Sequence, residues 1–245
     1  MINDGIKKEG NNTESFLMIG QSNMAGRGCL EDVYPIKNPL CFILRNGRWQ
    51  PMTEPINPDR SIFSGRFRSG VSLAASFADE NAKKYNIATG LIPCADGGTS
   101  MSQWMPGELL FDHAVAMTKL AMRTSTLKAI LWHQGESDCD CDENVICYEE
   151  KFLTMIKELK RQLGTPDVPV IIGELSHCYG TEYKCSERGG WLNEIFKKIC
   201  RENEGFVLVS AEGLTMKDDE LHFNSESLRE FGKRYFAAYD SIAVR

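Results

Sequence analysis

A chain of 245 residues with 42% apolar and 25% charged side chains is sized and composed for one large globular domain. Its net charge of −6 argues against nucleic acid or an anionic membrane surface as partner, and no apolar run approaches the ~20 residues of a bilayer span. Residues 1–15 are polar and mixed in charge, without the apolar core of a secretory signal. They are read as a polar N-terminal segment ahead of a single domain at 16–245, in a cytoplasmic protein.

The first apolar run, Phe16-Leu17-Met18-Ile19, breaks off into Gly20-Gln21-Ser22-Asn23. A buried strand that stops at glycine and small polar residues delivers a side chain, here Ser22, to the carboxyl edge of a sheet, where open α/β sheets bind ligands. Residues 26–70 follow with five prolines and no sustained period, although Leu40–Leu44 and Arg48-Trp49 suit a hairpin across Asn46-Gly47. A helix is predicted over 71–85 and a second strand over 87–95, running into Gly97-Gly98-Thr99. Next come a helix at 107–123 and a strand at 127–135 that ends in His133-Gln134-Gly135. A long amphipathic helix spans 144–163, closed by Gly164 and Pro166. A strand at 168–175, a helix at 190–203, a strand at 206–210 and a helix at 225–239 complete the chain. Strands alternating with helices predict an α/β fold: a three-layer α/β/α sandwich around a five-stranded parallel sheet.

Nine cysteines, an odd number, point to free thiols, chiefly on surface loops, rather than a disulfide framework. Cys178 and Cys185 bracket one loop and are a candidate pair under oxidation. Cys139-Asp140-Cys141 with Cys147 lacks the second ligand pair of a zinc site, so no metal is assigned.

Ser22 needs a base to become nucleophilic near neutral pH, and imidazole needs a carboxylate to fix its tautomer. Beyond the last strand, Asp218-Asp219-Glu220-Leu221-His222-Phe223 offers both, with Asp219 and His222 three apart within a turn. The backbone N–H groups of Ser22 and of Gly98 or Gly97, with the side-chain amide of Gln134, are candidate oxyanion donors. Such chemistry calls for no cofactor.

These blocks resemble the SGNH (GDSL-like) hydrolase superfamily, and within it the sialate O-acetylesterase and acetylxylan esterase-like branch, carbohydrate esterase family 6. The resemblance rests on Gly-Gln-Ser-Asn-Met at 20–24, Gly-Gly-Thr at 97–99, His-Gln-Gly-Glu-Ser-Asp at 133–138 and Asp-Glu-Leu-His-Phe at 219–223. It covers residues from about 16 to 240 and implies a flavodoxin-like fold with a Ser22–His222–Asp219 triad. It also implies an oxyanion hole of Ser22, Gly98 and Gln134, the last replacing the Asn of the wider superfamily. The implied substrate is an acetylated carbohydrate: acetylxylan, an acetylated oligosaccharide or a sialate.

Gln21, Asn23 and Trp104 are candidate substrate-binding residues, with Arg66 and Arg68 as further lining and Trp104 equally suited to packing. His133 reads as structural. Glu136 and Asp138 read as loop-fixing acids, with Arg27 as a partner, rather than as a glycosidase pair. Three other functions remain open: a lipolytic or aryl esterase of the same superfamily, an inactive carbohydrate-binding protein on this scaffold, and a flavodoxin-like phosphate binder. The last leaves His222 and Gln134 without a task.

Overall fold

A computed structural model of the chain describes residues 13–58, 69–176 and 185–243. Its strands are β1 (Glu14–Gly20), β2 (Cys41–Arg45), β3 (Arg48–Pro51), β4 (Thr89–Pro93), β5 (Thr126–His133), β6 (Val170–Gly173) and β7 (Phe206–Val209). Its helices are α1 (Ser22–Ala25), α2 (Leu73–Tyr85), α3 (Leu109–Ala121), α4 (Asp142–Ile146), α5 (Tyr148–Leu163), α6 (Cys185–Glu202) and α7 (Ser225–Ile242).

The strands form one sheet in the order β3-β2-β4-β1-β5-β6-β7, parallel throughout except for β3. Alternate side chains of β1 feed two cores. Leu17 and Ile19 pack with residues of α3, α5 and α6, whereas Phe16 and Met18 pack with those of α2 and α7. Burial on both faces explains why the strand is a continuous apolar run and not an alternating one. Phe16 meets Phe77 and Tyr239 edge-on, with ring centroids 4.7 and 5.2 Å apart. Each such contact adds about 0.5–1.5 kcal/mol beyond the area buried.

The sheet has seven strands among the described residues, not five. The two additions lie in the irregular section at 26–70, where the Asn46-Gly47 turn (φ 51° and 75°) closes an antiparallel hairpin. Its first strand then pairs parallel with β4, extending the sheet by two. Three boundaries also move. Strand β1 already pairs at Glu14, so the polar N-terminal segment is shorter than 1–15. The helix expected at 144–163 is divided at Cys147 into α4 and α5, and α6 begins at Cys185 rather than 190. Nor are the cysteines confined to surface loops: Cys41, Cys94 and Cys139 are buried, and burial pushes the Cys41 thiol up to about 12. The proposed Cys178–Cys185 pair, like Arg66 and Arg68, falls outside the described side chains. No described helix is long and apolar enough to cross a membrane.

Strand β1 lies between β4 and β5, so the strand order reverses direction about it, and a crevice opens at the carboxyl ends of these three strands. Gly20 makes the close approach there possible. Its φ is +131°, and a Cβ would lie 2.1 Å from the His133 carbonyl oxygen. The chain can therefore turn off β1 while Gln21 N–H donates to His133 O at 2.9 Å.

Candidate active site

The crevice holds a cavity of about 500 Å³. Ser22 opens the single turn of α1 at its floor, at the start of a helix whose first N–H groups have no partner within the helix. The imidazole comes from the far end of the chain. The loop that carries it is closed by Lys217 N–H donating to His222 O at 2.7 Å and by an antiparallel bridge between Met216 and Phe223. Phe223 is fully buried against Phe231 and His133, with ring centroids 5.3 and 5.9 Å away, and it anchors the loop to the core. Within the loop, Asp219 Oδ1 accepts the backbone N–H groups of Leu221 and His222, at 3.1 and 2.8 Å. Glu220 takes a left-handed conformation (φ 51°) to complete the turn.

The result is a chain of hydrogen bonds. His222 Nε2 lies 2.9 Å from Ser22 Oγ, and His222 Nδ1 lies 2.9 Å from Asp219 Oδ2. A carboxylate only accepts, so Nδ1 carries the proton and Nε2 is left to accept from the serine hydroxyl. Desolvation pushes the Asp219 carboxyl up. The hydrogen bond from His222 and the two backbone N–H groups outweigh it and hold Asp219 below the usual carboxylate range.

Asn23, expected to meet substrate, is instead buried at 1% exposure and clamps the two loops together. Its Nδ2 donates to Glu136 Oε1 at 2.6 Å and to Leu221 O at 3.2 Å, while its Oδ1 accepts Phe223 N–H at 3.1 Å. The asparagine next to the serine thus grips the backbone on both sides of His222. Trp104 is also corrected: it is fully buried, stacked edge-on against Trp132 at 5.7 Å, with its indole N–H donated to Thr99 Oγ1. It belongs to the core and does not line the cavity.

Gln134 departs from expectation in the same way. It is fully buried and absent from the cavity wall. Its Nε2 donates to Asp138 Oδ2 at 2.5 Å and to Thr99 O at 2.9 Å, sharing a hydrogen with Gln21 Oε1 at 3.3 Å, and its Oε1 accepts from Tyr148 at 2.7 Å. In this arrangement the amide has nothing left to offer an oxyanion. Gln21 does line the cavity, as do Gly97 and Gly98. Gly98 has φ +75°, a conformation that glycine adopts without strain.

Glu136 and Asp138 fix the loop after β5. Burial pushes Glu136 up, but His133, whose Nε2 is 3.4 Å away, and the Asn23 amide outweigh it and hold Glu136 below its ordinary value. Asp138 accepts Met101 N–H as well as the Gln134 amide, yet burial dominates and raises it to about 6. Arg27 lies against Gly97 at the cavity wall, which it lines together with Ser22. Ser100, Gln103, Ser137, Asp140 and Leu221 complete the lining. None of these five was marked by sequence reasoning; the available signal was position, since Ser137 and Leu221 sit inside motif blocks and Ser100, Gln103 and Asp140 lie one to four residues beyond one.

A doubly covered, mostly parallel sheet with this crevice is the fold of the SGNH hydrolases, and solved structures place it more closely. The chain superimposes on the X-ray structure of protein AT4G34215 of Arabidopsis thaliana with a TM-score of 0.84 at 27% identity, covering 96% of this chain and 100% of that one. NanS gives 0.73 at 16% identity over 94% and 97%, a likeness of fold. A carbohydrate acetylesterase from Xanthomonas citri gives 0.65 at 17% over 94% and 56%, again a likeness of fold. In sequence, the chain is 30% identical to the probable carbohydrate esterase At4g34215 of Arabidopsis thaliana over 91% of this chain and 89% of that one. Residues 12–241 match the profile of the carbohydrate esterase, sialic acid-specific acetylesterase family, and the chain belongs to that family.

Proposed function

We propose that this protein is a serine esterase that removes O-acetyl groups from carbohydrate through an acyl-enzyme on Ser22. The observation that carries the reading is the Ser22–His222–Asp219 relay, with 2.9 Å at each link, opening onto the cavity. His222 Nε2 takes the hydroxyl proton as Ser22 Oγ attacks the acetyl carbonyl. The imidazolium that forms is stabilised by Asp219 and then protonates the departing sugar oxygen. A water molecule, activated by the same imidazole, releases acetate. The N–H groups of Ser22 and Gly98 are the backbone donors for the oxyanion.

Polar side chains on the cavity wall are the groups that an acetylated sugar would meet. Arg27, Ser100, Gln103, Ser137 and Asp140 supply polar groups suited to hydroxyls, beside the aliphatic Leu221. The family and the Arabidopsis relative, named a probable carbohydrate esterase, point the same way. Candidate substrates are acetylated xylo-oligosaccharides, other acetylated oligosaccharides and sialates.

The test is a series of p-nitrophenyl esters from C2 to C8 compared by kcat/KM. A lipase-like site gains about 0.8 kcal/mol for every methylene it buries. A small acyl pocket loses about 1–3 kcal/mol to overpacking, or 10- to 200-fold in discrimination. The expected outcome is a fall of that size between acetyl and butyryl. A rate constant that rises with chain length replaces this reading with a lipolytic one.

A further inference from the structure

Gln21 and Gln134 face each other across the carboxyl ends of β1 and β5, and their two amides are placed in opposite ways. Gln134 is sealed in, its two amide hydrogens shared among Asp138 Oδ2, Thr99 O and, at longer range, Gln21 Oε1. Gln21 is 2% exposed and lines the cavity beside Ser22. Its oxygen is turned inward by three donors: Gly135 N–H at 3.4 Å, Ser137 N–H at 3.2 Å and Gln134 Nε2 at 3.3 Å. Two of these are backbone groups that can only donate, so the orientation of the Gln21 amide is determined: oxygen toward the loop after β5, NH2 toward the cavity. Among the described residues that Nε2 has no hydrogen-bond acceptor. A nearly buried donor at the wall of the cavity, preset by the bonds to its other end, is the kind of group that stabilises charge developing in a transition state.

We infer that Gln21, not Gln134, supplies the side-chain amide of the oxyanion hole, donating through Nε2 to the acetyl oxygen beside the N–H groups of Ser22 and Gly98. Gln134 is then a positioning residue: its Nε2 helps to hold Gln21 Oε1 in place, and Asp138 and Tyr148 hold Gln134. The inference rests on the esterase reading of Ser22. Gln21 differs from a residue that merely binds sugar because its donor is realised as the carbonyl oxygen becomes an anion. Its loss therefore appears in kcat rather than KM.

Two variants separate donor from scaffold. Gln21→Glu keeps an acceptor oxygen for Gly135, Ser137 and Gln134 but removes the donor; Gln21→Met removes both. Steady-state kinetics with p-nitrophenyl acetate and thermal melts are measured on wild type, both variants and Gln134→Met. The expected result is a loss of about 10²- to 10³-fold in kcat for Gln21→Glu and Gln21→Met, with KM changed by less than about threefold. Gln21→Glu melts near the wild type, since the loop after β5 keeps its acceptor. Gln21→Glu with kcat within about fivefold of wild type overturns the inference, because it shows that only the acceptor matters. A loss of kcat in folded Gln134→Met that exceeds that in Gln21→Met also overturns it. Wild type without acetyl-esterase activity is a different failure, since it removes the esterase reading itself and the role of Gln21 with it.

Discussion

Ser22, His222 and Asp219 come from the two ends of the chain, and each is set by short-range chemistry. Asp219 is 41% exposed at its side chain, so its bond to His222 contributes little to stability in water. Its value is orientation, since two backbone N–H groups already fix the carboxylate before the imidazole meets it. Asp138 is the opposite case: buried, close to the site, and raised to about 6 chiefly by desolvation. A carboxyl whose folded pKa lies above its unfolded value stabilises the fold while protonated. That stability is fully present below about pH 4 and is lost as the pH rises through about 6. The shift of about two units corresponds to roughly 3 kcal/mol. Melting of wild type and Asp138→Asn between pH 4 and 7 checks this. The wild type is expected to gain relative to the variant by about 6–12 °C on going to pH 4. A difference in Tm that is flat with pH contradicts the assignment.

Among the elements, β1 and the loop at 217–222 decide the geometry. The end of β1 tolerates only glycine at position 20, where a Cβ would strike the His133 carbonyl and φ is +131°. Gly20→Ala is expected to cost about 3 kcal/mol or more, a drop in Tm of roughly 6–12 °C, and to displace Ser22 with it. A variant with unchanged Tm and unchanged activity rules out this close approach. The loop was readable because Asp-x-x-His with a following aromatic is a local pattern that turns on itself and buries its last residue. The roles of Asn23 and the two glutamines were not readable in the same way. Whether an amide faces solvent, substrate or a neighbour depends on partners more than a hundred residues away, as with Asn23 and Leu221 or Gln21 and Ser137. Trp104 lies in a short turn between motif blocks, with no period to show which side is buried, and only packing against Trp132 settles it.

At the scale of the whole molecule, the sheet gathers its functional residues by topology. Strands β4, β1 and β5 are neighbours in space, and their carboxyl ends bring residues 20–23, 97–99 and 133–138 to one crevice. The alternation of strands and helices was plain in the sequence because both sheet faces are covered, which leaves buried strands as continuous apolar runs. The hairpin at the sheet edge was legible as a hairpin but not as part of the sheet. The edge strand β3 is short and half-exposed, and the pairing of Cys41 with Thr89 is non-local. The proposed function rests above all on Ser22 acting as a nucleophile toward acetyl esters of carbohydrate. The most direct measurement is acetate release from a panel of acetylated xylo-oligosaccharides and sialic acids by wild type and by Ser22→Ala, each shown to be folded. Release by the wild type that falls about 10³- to 10⁶-fold in the variant is the expected result. Release that survives in Ser22→Ala, or none from any member of the panel by the wild type, contradicts it.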